Sequence, residues 1–208
     1  MFFLTRPDNT TIRQFLETRR DDNFSYTEVG ASRIAAPGNY NVDHNRVQIG
    51  SSFADFNKAI EAVKSWKMFE MSWVELCWTD TPIEVGENVA VLIRHFGFWS
   101  LNASRIVYVI EEIGEVEKYG FAYGTLSEHG EQGEERFTVE FNRANKEVWY
   151  DLYAFSKPKH ILAAIGYPLS RMLQKQFAIE SKKSMQRAVK ISARKATKTE
   201  TKQYEEGI

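Results

Sequence analysis

Cysteine is nearly absent: Cys77 stands alone among 208 residues, which excludes an internal disulfide and a cysteine-built metal cluster and suits a reducing compartment. No uninterrupted apolar run approaches the ~20 residues of a membrane-spanning helix. The opening MFFLTR reaches Arg6 too early for the apolar core of a signal peptide, so a soluble cytoplasmic chain is expected. Excess charge of either sign is missing too. Lys plus Arg, 27, against Asp plus Glu, 28, leave a net charge of −1, and nothing global draws the chain to nucleic acid or an anionic membrane. There is no glycine-rich phosphate loop, no G-x-S-x-G elbow, no H-E-x-x-H and no dinucleotide fingerprint, so no cofactor is expected and the common enzyme classes lose ground.

What the chain does have is rings, with five Trp, nine Tyr and fourteen Phe. At 43% hydrophobic and 26% charged residues the composition is globular, and rings in a globular chain are either buried or bind something. Pro7 and Asp8 open a short helix carrying Ile12, Phe15 and Leu16, with Asp8 placed as its N-cap. FSYTEVGAS, Phe24 to Ser32, alternates like a first strand. The following APGNYNVDHNRVQIGSS, rich in Pro, Gly and Asn, is expected to be largely irregular. Ser52 and Asp55 then make a capping-box-like start for a helix with Phe56, Ile60 and Val63 on one face.

Beyond Trp66 the period falls to two. WVELCW, VAVLIRHF, SRIVYVIEE, YGFAYGTL, ERFTVEF and EVWYDLYAFS each predict a strand, making seven with the first. In ERFTVEF one face carries Phe137, Val139 and Phe141 and the other Arg136, Thr138 and Glu140, so one side of the sheet is solvated. Gly97, Gly120 and Gly124 permit bends, and a curved antiparallel sheet is expected. Helical spacing returns at Ile161, Leu162 and Ile165, breaks at Gly166–Pro168, and resumes from Leu169 to about Met185. Residues 187–208 lack apolar periodicity and are expected to be a charged, flexible tail behind a single domain, 1–186. The sheet's apolar face needs cover, and only the last helix is long enough to give it. The fold class is therefore α+β, a helix grip whose sheet wraps one helix and leaves a ring-lined gap suited to a small apolar or amphipathic ligand.

The stretches YNVDHNRVQIG, WKMFEMSWVELCW, IRHFGFWSLNASRIVY, YGFAYGTLSEHGEQGEERFTV, WYDLYAFSKPKH and PLSRMLQKQFAIES, in this order, resemble the uncharacterised family known as domain of unknown function 1990. That resemblance implies little about activity, because the family has no agreed biochemical role. More distantly the chain resembles the START-like helix-grip superfamily, which implies binding of lipids, hormones or polyketides and, in some members, cyclase activity.

Candidate site residues are polar groups among rings. Arg94 and His95 end a strand beside Phe96, Phe98 and Trp99, while Arg105 shares period-two alternation with Val107 and Val109. If that face is the inner one, Arg105 needs a partner, and Asp151, on the face of Trp149, Tyr153 and Phe155, could supply it. Expected ligand contacts are Arg94, Trp99, Arg105, Tyr108, Tyr123 and Tyr153, with His95, Asp151 and His129 as acid–base alternatives. The segment Ser127–Glu134 reads as a flexible hairpin tip and a possible lid, and a metal set of His129, Glu131 and Glu134 on it lacks preorganised geometry. Three functions stay open: a binding module, a cyclase- or hydrolase-like enzyme using the same cavity, and an interaction protein whose core is filled.

Overall fold

The structure is a computed structural model; it describes residues 1–36, 38–127, 131–158 and 167–205, with side chains of the last segment followed from 169 to 190. The period-two segments form one antiparallel sheet. Its seven main strands run in space β2 (Asn41–Gly50), β8 (Val148–Pro158), β7 (Glu131–Asn142), β6 (Val116–Thr125), β5 (Trp99–Glu112), β4 (Asn88–Arg94) and β3 (Val74–Cys77). A two-residue β1 (Phe2–Phe3) pairs with the start of β5. β3 to β8 make a continuous meander, and β2 closes the free edge of β8.

The sheet curls because its ladders are interrupted. Register shifts between Ile106 and Tyr108 on β5 and between Gln48 and Gly50 on β2 insert one extra residue each, which bends a strand and sharpens its twist. At Gly120 the neighbouring backbone comes so close that a Cβ would sit 2.1 Å from the Phe137 carbonyl oxygen; only glycine permits that approach.

Two helix starts follow the expected capping. In α1 (Asn9–Glu17) Asp8 accepts the Thr11 N–H at 2.7 Å. In α2 (Phe53–Lys64) Ser52 Oγ accepts the Asp55 N–H at 3.1 Å while Asp55 accepts the Ser51 N–H at 3.2 Å. α1 lies on the convex side, with Ile12 and Phe15 against Ala90, Leu92, Leu101 and Ala103. α2 and the terminal α3 (Tyr167–Glu205) lie in the concave side. There Phe121, Phe137, Phe141 and Tyr150 pack against Phe56, Trp66, Met185 and Val189, and each fully buried ring contributes ~1.5–3 kcal/mol of transfer free energy. This is a helix grip.

Two expectations on the first third of the chain fail. Phe24–Ser32 is not a strand: Phe24 makes one bridge to Leu126, and Ala31–Arg33 is a 3-10 turn. The N–H groups of Gly30 and Ser32 donate to the Glu134 carboxylate, so the segment's donors are taken by a side chain. The Asn-rich stretch expected to be irregular is instead β2, paired with β8 from Asn41–Ser156 to Gly50–Val148; a waiting edge ladder overrides weak local propensity. The helical spacing at Ile161–Ile165 and His160 lie outside the described residues. The backbone of α3 continues to Glu205, through the stretch read as a tail. Among the described residues no helix is long and apolar enough to cross a membrane.

Candidate functional site

The concave face has a filled half and a hollow half. Where α2 and the middle of α3, Ala178 to Val189, pack, large rings meet; Tyr150 Oη and Ser181 Oγ share a hydrogen bond of 2.8 Å, and Ser184 Oγ donates to the Lys67 carbonyl at 2.6 Å. Toward β1 and the β4–β5 turn the inward side chains shrink. Ser100, Asn102 and Ser104 alternate along β5, faced by Ala154 and Ser156 on β8. The first turns of α3, Leu169 to Ala178, cross above them, tied to the sheet through Arg171 and Gln174, and a cavity of about 460 Å³ remains. Phe69, Trp73, Val91, Ile93 and Leu152 give it an apolar wall. This volume is that of a small-molecule site.

Its polar groups gather at one end. Tyr123 Oη donates to Glu135 at 2.7 Å, and the other Glu135 oxygen takes no hydrogen bond from any described residue. Burial pushes the Glu135 carboxyl up to about 7; the Tyr123 bond opposes this, and the nearby carboxylates of Asp43 and Glu131 add to it. Burial also raises Glu131, against donation from Ser170, Gln174 and Ser156. Arg171 grips both Asp43 oxygens, one at 2.6 Å. At the opposite end His95 Nε2 and Ser100 Oγ are 2.8 Å apart, and the imidazole stacks on Phe98 at 4.5 Å. Burial lowers the His95 pKa, favouring the neutral ring. The arrangement can enclose an apolar body, bind one polar end, and move a proton at Glu135 near neutral pH. Among the described residues no three His, Cys, Asp or Glu side chains converge as a metal site. A second depression, about 550 Å³ beside Phe53 and Phe141, is bounded by six residues, and its only charged groups are Arg143 and Lys146; it offers no acid–base pair.

A family model described as domain of unknown function, DUF1990, matches residues 25–184. The chain belongs to this family. The UPF0548 protein of Dictyostelium discoideum is 35% identical over 208 residues, covering 91% of this chain and 96% of its own length. The UPF0548 protein of Deinococcus radiodurans is 33% identical over 190 residues, covering 86% and 93%. Among solved structures, human STARD10 aligns with a TM-score of 0.42 and 10% identity, over 88% of this chain and 81% of its own. Norcoclaurine synthase from Thalictrum flavum aligns at 0.41 with 14% identity, over 70% and 94%.

In this DUF1990 domain the expected contacts divide between the two faces. Tyr123 and His95 line the cavity, whereas Arg94, Trp99, Arg105, Tyr108 and Tyr153 do not. The extra residue at Val107 is the reason for Arg105: it stands opposite Gly124 on the convex side, while Val109 stands opposite Phe121 on the concave side. Simple alternation put them together. Arg105 instead donates to the carbonyls of Arg19 (3.0 Å), Arg20 (2.6 Å) and Asp22 (2.8 Å) and to Asn88 Oδ1 (2.8 Å), tying down the turn after α1. The Arg105–Asp151 pair is absent. Asp151, 4% exposed, is held on the convex face by Arg136 at 3.0 Å and His44 Nε2 at 2.6 Å. Tyr108 bonds Ser32 at 2.6 Å, and Tyr153 accepts the Ala36 N–H at 3.0 Å.

The expected hairpin tip is shorter than Ser127–Glu134, because β7 begins at Glu131. His129 lies outside the described residues. Glu131 and Glu134 face opposite sides of β7, three residues apart along a strand, so they cannot share an ion. The sequence reading places Glu135 at the head of the ERFTVEF strand and assigns it no role. Carrying the alternation of Phe137, Val139 and Phe141 back by two residues places it on the apolar face. The alternating Ser100, Asn102 and Ser104 likewise marked hollow space on an otherwise apolar strand.

Proposed function

We propose that this protein binds a small, largely apolar molecule between the sheet and the first turns of α3, with Tyr123, Glu135 and His95 as its polar contacts. One observation carries the reading: a ring-walled cavity of about 460 Å³ is lined by a carboxylate that, among the described residues, has a single hydrogen-bond donor. A packing defect would not retain such a group, because a part-buried carboxylate with one donor is costly. The test is native mass spectrometry of protein purified gently from its own cells. A bound small molecule of defined mass is expected; bare protein that also takes up no apolar fluorescent probe would overturn the reading.

A second reading, an acid–base enzyme of cyclase or hydrolase type on the same cavity, draws on Glu135 alone, whose carboxyl is poised at about 7. Glu135→Gln protein that still binds a neutral ligand but has lost turnover would favour it. The filled-core interaction protein loses support from the same hollow.

A further inference from the structure

If the cavity binds a ligand, its wall also constrains that ligand's charge. The described side chains that line it include Asp43, Glu131 and Glu135, and neither lysine nor arginine. Asp43 is already answered by Arg171, whose guanidinium spans both its oxygens. Glu131 receives the amide of Gln174, which also donates to Ser156 Oγ at 3.1 Å. Glu135 has only the Tyr123 hydroxyl, at 2.7 Å, and among the described residues no cation lies within ion-pair distance of it. Its free oxygen therefore stands in a partly enclosed space beside two other carboxylates, where like charge is penalised more than in open water. His95, pushed toward the neutral form by burial, supplies no compensating charge.

We propose that the cavity selects a cationic amphiphile, an apolar body ending in a protonated amine, and that the amine pairs with Glu135. An anionic lipid or fatty acid would bring a further carboxylate to this end and is excluded by repulsion and desolvation. A neutral ligand could fill the apolar wall but would leave Glu135 unanswered. This specificity rests on the binding role proposed above and goes beyond it in naming the ligand's chemistry.

The groups acting on Glu135 are Tyr123 from β6, Glu131 from β7, Asp43 from β2 and Tyr150 from β8, while Arg171 and Gln174 from α3 engage Asp43 and Glu131. Free, the carboxyl is half protonated at about pH 7. A bound ammonium holds it ionised, so amine affinity rises as pH climbs through 7 and falls only when the amine itself deprotonates, at about pH 10.

The test compares three dansyl-labelled alkyl probes of equal length, ending in an amine, a primary amide and a carboxylate, by fluorescence titration of the full chain between about pH 6 and 8. The amine should bind at least about tenfold more tightly than the carboxylate at the upper pH, and this preference should drop to within about threefold in the isosteric Glu135→Gln protein. Tyr123→Phe provides a second reading that keeps the carboxylate. Losing the donor raises the Glu135 pKa, so the midpoint of the amine's pH dependence should move upward. Circular dichroism checks that both variants are folded. A carboxylate probe that binds as tightly as the amine, or an amine preference that survives Glu135→Gln, overturns the charge assignment and leaves the cavity intact. Failure of all three probes to bind overturns the binding role and this inference with it.

Discussion

Glu134 and Glu135 are adjacent in the chain and face opposite sides of β7. On the convex side Glu134 is 3% exposed and receives Tyr26 Oη at 2.7 Å, the Gly30 N–H at 2.7 Å, the Ser32 N–H at 3.0 Å and the Ser32 hydroxyl. On the concave side Glu135 receives one hydroxyl among the described residues and borders empty volume. The difference shows how to tell a structural carboxylate from a binding one. Glu134 has every lone pair answered by a loop that has no other organising ladder, so it holds residues 24–36 onto the sheet. Glu135 contributes no such anchoring, and its burial is a standing cost that a ligand can relieve.

The sharpest way to break this contrast is to delete each carboxylate in turn. Glu134→Ala leaves buried N–H and O–H donors unpaired and should cost about 3–5 kcal/mol in urea unfolding; a loss under 1 kcal/mol would remove the anchoring role. Glu135 has the opposite sign. Its folded pKa, about 7, stands above the ordinary 4.5, so the stability it adds is present below about 4.5 and is lost as pH rises through 7. Glu135→Gln should therefore be more stable than the parent by about 2–3 kcal/mol near pH 8 and nearly equal near pH 4. Equal stability at both pH values would contradict its buried, underbonded state.

Two smaller effects sharpen the division of faces. Arg105→Ala, on the convex side, should lower stability by about 1–2 kcal/mol through the freed carbonyls after α1 and leave probe affinity unchanged. Leu173→Trp, on the cavity side of α3, should change stability by less than about 1.5 kcal/mol, because the ring enters existing space, yet abolish probe binding. Reversal of those two outcomes would mean that the ligand sits on the convex face.

Much of the fold was legible in the sequence. ERFTVEF separates its faces because every second residue is apolar, and Asp8 and Ser52 announce their helices through local hydrogen bonds, which need no tertiary context. β2 was not legible: His44, Asn45 and Arg46 are poor strand formers, held in place by a partner more than a hundred residues away. Arg105 was misplaced by one extra residue at Val107, which period-two reasoning cannot detect. Asp151 is expected as the partner of Arg105, but its cation is Arg136, on a neighbouring strand whose register no local pattern reveals. The cavity was foreseen from the grip arrangement, whereas its acidic end became visible only when β2, β7 and α3 brought Asp43, Glu131 and Glu135 together.

Methyl-labelled NMR with the amine probe addresses the two faces at once. Saturating probe should shift Ile93, Leu152, Ala154 and Leu173 around the cavity and leave Leu101, Ala103 and Ile110 on the convex side unmoved. Shifts confined to the convex methyls, or no shift at either set, would contradict a ligand site between sheet and helix.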